Sequence, residues 1–80
     1  MTLKELLALR LIRDNVRISL FEYDARGLCK KVGDIQAVRL NNKIVGESDL
    51  PDLPKDWLGY QVESIAGSKD AYKTNIVIYK

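Results

Sequence analysis

Eighty residues allow one domain, 1–80, with a core so small that chains of this size commonly lean on a disulfide, a metal or a second copy for stability. One cysteine and no histidine exclude an intramolecular disulfide and the usual structural zinc site, so self-association is what remains, and a homodimer or larger is expected. Thirteen Lys and Arg against eleven Asp and Glu is too mild a balance to imply nucleic acid, although it leaves room for a local basic patch.

No apolar run approaches the length of a bilayer span, and the N-terminus reads as an amphipathic helix carrying Glu5 rather than as a signal peptide. A cytoplasmic protein with no membrane contact is expected. Thr2 and Glu5 stand at capping-box spacing, and Leu3 to Arg13 follow without Gly or Pro, which predicts one long helix. On that helix Leu3, Leu6, Leu7 and Leu11 form one stripe. Leu9 and Ile12 point away from it, which makes this pair the candidate oligomer interface.

Val16 to Tyr23 alternate as a strand: Val16, Ile18 and Leu20 share one face, and Arg17, Ser19, Phe21 and Tyr23 share the other. Asp24-Ala25-Arg26-Gly27 has Asp first and Gly fourth, the pattern of a type I turn that starts a hairpin. Leu28 to Val32 and Ile35 to Leu40 are strand-like on either side of Gly33-Asp34, which allows one long strand with a bulge or two short ones. Asn41-Asn42 is a two-residue hairpin signal that would set Val38 against Val45. Pro54 and Gly59 bracket a short helical turn near residues 54–58, pinned by Trp57 and Leu58. Tyr60 to Ala66 and Thr74 to Tyr79 then read as two further strands. The fold class is α+β, with one N-terminal helix packed on a four- to five-stranded antiparallel sheet. Leu3, Leu7, Ile18, Leu20, Val62, Ile76 and Ile78 are expected to share the core beneath the helix.

Chemistry-bearing patterns are sparse. With no histidine, no G-x-S-x-G elbow and no partner to activate Cys29, nucleophilic catalysis is not expected, and the chain reads as a non-enzyme. Glu47, Asp49, Asp52 and Asp56 suit turns and caps better than a cation site, because prolines separate them and no calcium-loop pattern appears. The five glycines have no phosphate-loop spacing, so no cofactor is expected. The candidate binding residues are Arg17, Phe21, Tyr23 and Lys30 on the first two strands and Lys69, Tyr72 and Lys73 in the last hairpin loop. Rings and cations interleave there as in single-strand binders, and also as on any uncovered sheet face of mixed charge.

Five stretches occur in order: Thr2-Leu3-Lys4-Glu5-Leu6-Leu7, Asp14-Asn15-Val16-Arg17-Ile18, Leu53-Pro54-Lys55-Asp56-Trp57-Leu58, Val62-Glu63-Ser64-Ile65 and Ile76-Val77-Ile78-Tyr79. Together they resemble short accessory proteins of phages and mobile elements. Some of that group resemble anti-CRISPR proteins with a helix-plus-antiparallel-sheet fold akin to single-strand-binding coactivators, which typically dimerise. The resemblance implies a protein that binds a host protein or ribonucleoprotein complex and inhibits a host defence or nucleic-acid-processing machine. The alternative is a single-stranded nucleic-acid-binding protein. The extra Ile35 to Ile44 hairpin departs from the group, so the binding surface does not carry over.

Overall fold

The computed structural model describes residues 1–10, 12–13, 15–37, 44–50, 52–68 and 73–80. Helix α1 spans Leu3–Ala8. Its start is the expected capping box, in which the Thr2 backbone N–H donates to Glu5 Oε1 at 3.1 Å and the Glu5 N–H donates to Thr2 Oγ1 at 3.2 Å. Hydrogen bonds to the Glu5 carboxylate from the Thr2 backbone N–H, then from the Thr2 hydroxyl, lower the Glu5 pKa.

The helix ends one and a half turns earlier than its propensity allows. The N–H groups of Leu9 and Arg10 donate to the carbonyls of Leu6 and Leu7, and Arg10 then takes a φ of 51°, the left-handed conformation that closes helices. The chain leaves as strand β1, Ile12–Arg13, with Ile12 opposite Val45 of β4, Ile44–Val45. Ile12 is 6 % exposed and belongs to the core, which corrects its assignment to an oligomer interface. Ile12 does not share with Leu9 a helix side turned away from Leu3 and Leu7, because Ile12 is in a strand and not in the helix. Burial of a large aliphatic, about 1.5–3 kcal/mol, outweighs the few tenths per residue of helix propensity.

The main sheet has four strands in the order β3-β2-β6-β5, with β2 Asn15–Tyr23, β3 Cys29–Ala37, β5 Gln61–Ser68 and β6 Lys73–Tyr79. It is mixed, which corrects the expected antiparallel sheet: β2–β3 and β5–β6 are antiparallel hairpins, and their first and last strands, β2 and β6, run parallel. The cause lies between the hairpins. Parallel neighbours need a crossover, and Val45, Leu50 and Trp57 of the connecting segment are buried in the same core as α1, so this segment crosses the covered face instead of folding back beside β3. Val45 accordingly faces Ile12; the Asn41-Asn42 turn and Val38 lie outside the described residues.

Apolar alternation matches across the parallel pair, with Ile18 beside Ile76 and Leu20 beside Ile78. Those four join Leu3, Leu7 and Val16 in the core, and Val62 packs at its margin, as expected. Two 3-10 turns, Glu47–Asp49 and Lys55–Gly59, complete the lid, the second as expected from Pro54 and Gly59. Trp57 reaches β3 at Gly33, where an added Cβ would stand 2.6 Å from Trp57 Cζ2. A glycine inside this strand is thus the slot that admits the indole. The first hairpin turns as its sequence implies: Gly27 N–H donates to the Asp24 carbonyl at 3.0 Å, Asp24 Oδ1 accepts from the N–H groups of Arg26 and Leu28, and Gly27 has a φ of 79°. No helix among the described residues is long and apolar enough to cross a membrane.

Candidate functional site

Alternation along β2 and β6 sends one set of side chains into the core and leaves the other on a sheet face that no described element covers. At one end of that face three rings meet. Phe21 lies beside Tyr79 in the parallel register, with ring centroids 6.0 Å apart. Tyr23 stacks on Tyr79 at 5.1 Å with an interplanar angle of 11°, and it is 59 % exposed. Cys29, opposite Tyr23, donates its thiol hydrogen to the Tyr79 hydroxyl over 3.8 Å. Contacts with Cys29 and then Tyr23 push the Tyr79 phenol above its ordinary range, so the ring cluster carries a neutral hydroxyl.

An ionic cluster flanks the rings. Arg17 donates from Nε and Nη2 to both carboxylate oxygens of Asp34, the shortest contact being 2.5 Å, and Lys31 Nζ stands 2.5 Å from Asp34 Oδ2. Hydrogen bonding from Arg17, then from Lys31, outweighs desolvation and holds the Asp34 carboxyl down to about 2. The same bond raises the Arg17 pKa. Both cations are therefore committed to a carboxylate of their own chain.

Sequence placed Arg17, Phe21 and Tyr23 together, and the structure brings them onto one face. Lys30 does not join them. A bulge leaves Val32 unpaired, so Leu20 opposes Gly33 while Phe21 opposes Lys31, and Lys30 falls opposite Glu22 on the other face. Lys73 sits opposite Asn15 at the far end of β2 from Phe21, about 20 Å away at strand rise. Lys69 and Tyr72 lie outside the described residues. Leu9 is exposed just past the helix end.

Sequence reasoning missed Tyr79, Lys31, Asp34 and Cys29 as members of this face. The alternation of β6 did point Val77 and Tyr79 the same way, but only the parallel pairing sets Tyr79 against Phe21. Among the described residues no three of His, Cys, Asp and Glu gather as a metal site would require. No protein-family model matches the chain, and neither a curated protein nor a solved structure matches it.

Proposed function

We propose that this protein is a small interaction module that acts by binding a protein partner through the open sheet face around Phe21, Tyr23 and Tyr79. The observation that carries this reading is three clustered rings on an uncovered face, one of them largely exposed. Rigid aromatic side chains are the commonest anchors of protein interfaces, because they bury much area for little lost side-chain freedom. The commitment of Arg17 and Lys31 to Asp34 also favours a protein over a phosphate backbone, which would have to displace that carboxylate. The resemblance of its short motifs supplies the setting: an accessory protein of a phage or mobile element that inhibits a host defence or nucleic-acid-processing complex. The test is affinity capture from a host extract with the parent and with Tyr23→Ala. A partner held by the parent and lost by the variant supports the face, and equal capture by both removes it.

The ring cluster also favours a second reading, single-stranded nucleic-acid binding, since every base offers a surface to stack on. Binding of a labelled oligonucleotide that falls steeply with added salt would support it, and no binding at low salt would dismiss it.

A further inference from the structure

On the opposite side of the molecule, α1 and the two 3-10 turns enclose a half-open groove of about 560 Å³. Its floor is Leu7, Leu50, Leu53 and Leu58, the first two buried and the others partly so. Lys4, Arg10 and Lys55 stand on the rim against a single carboxylate, Glu47, and none of the three cations has an ion-pair partner among the described residues.

The placement of Arg10 involves two local concessions. Its backbone occupies the left-handed region, the one non-glycine residue to do so among those described, a conformation that L-residues rarely adopt. Across from it stands Gly46, where an added Cβ would lie 3.0 Å from Arg10 Nη1. A glycine leaves the guanidinium room beside the backbone at the groove wall, in a position where it pairs with no described carboxylate.

We infer that this groove is a second binding site, for an acidic peptide segment bearing a leucine-like side chain. The apolar side chain would rest on the four leucines while carboxylates on either side meet Lys4, Arg10 and Lys55. Charge complementarity selects this occupant. Cations on three separate segments, α1, the residues just past it and the second 3-10 turn, are matched by several anionic groups, whereas a fatty acid brings one. A nucleic acid brings many anions and no aliphatic group for the floor. The site is independent of the ring face, so either can fail without the other.

The experiment is fluorescence anisotropy with a labelled synthetic peptide of Asp and Glu around two leucines, with its Lys-substituted counterpart and with dodecanoate as competitor. Saturable binding of the acidic peptide is expected, weakening with salt and weakened about tenfold or more by the double variant Lys4→Glu/Lys55→Glu. Arg26→Glu/Lys30→Glu changes net charge equally but lies on and beside the first hairpin turn, and it should weaken binding far less. All four positions are exposed, so the variants should fold. As a check needing no variant, amide chemical shifts on adding peptide to the parent should move at residues 4–10 and 46–58. No saturable binding, equal loss in both double variants, shifts centred on β2 and β6, or displacement of the peptide by equimolar dodecanoate would each overturn the inference.

Discussion

Along β2 the inward residues Val16, Ile18 and Leu20 and the outward residues Arg17, Ser19, Phe21 and Tyr23 share one backbone and the same neighbouring strands, and differ in what lies over them. The inward three are at most 5 % exposed beneath α1, Trp57 and the crossover segment, while Tyr23 at the outward end is 59 % exposed. The inner face therefore holds the fold together. The outer face contributes less to folding, and its rings remain free to contribute to binding.

The largest test of that division is on the inner face. Ile18 is wholly buried between Ile35 and Ile76 in the sheet, so Ile18→Ala should destabilise by about 2–5 kcal/mol in urea unfolding, most of what so small a domain has. A parent-like midpoint would mean the core lies elsewhere. Gly33→Ala comes next. The added methyl would meet the Trp57 indole at 2.6 Å, and shifting a packed ring costs about 1–3 kcal/mol, read as a lower urea midpoint and altered Trp57 fluorescence. An unchanged protein would show that Trp57 moves aside freely.

These two sites also show what could be read from residues alone and what could not. The alternation of β2 and the Asp24 to Gly27 turn are local: each depends on residues within a few positions, and both were legible. The end of α1 was not, because Leu9 to Arg13 are good helix formers and only the buried place waiting for Ile12 beside Val45 turns them away. Nor was the parallel pairing of β2 with β6, which depends on the path of a distant connection. The candidate face was half legible for the same reason. Arg17, Phe21 and Tyr23 follow from alternation within one strand, whereas one unpaired residue, Val32, exchanges Lys30 for Lys31 on the neighbour, and no local pattern marks which residue bulges.

On the outer face the strongest interaction is ionic, and its effect should be smaller and dependent on pH. Asp34 titrates at about 2 when folded against an ordinary 3.8, so it binds its proton less readily in the native state. Its stabilisation is then present above the ordinary value and is lost as pH falls from about 4 toward 2. Because the carboxylate is partly open to water, the gain is on the order of 1 kcal/mol or less, below what the shift alone would give. Asp34→Asn should therefore unfold slightly earlier than the parent near neutral pH, and most of that gap should close by pH 2. A gap that persists undiminished at pH 2 would mean the carboxylate acts by packing rather than by charge.

The smallest expected change in stability belongs to Tyr23, and it sharpens the comparison most. Its ring touches Tyr79 on one side and solvent on the other, so Tyr23→Ala should leave the unfolding free energy within about 0.5 kcal/mol of the parent. If the ring face binds a partner, the same change should cost about 2 kcal/mol or more of affinity, roughly thirtyfold in Kd, because an exposed tyrosine at an interface centre is buried only on binding. Unfolding and affinity measured on one preparation separate the two faces directly. Loss of affinity at constant stability assigns Tyr23 to recognition. A large drop in stability would instead show that Tyr23 supports the fold through Tyr79, and the outer face would lose its claim to be free.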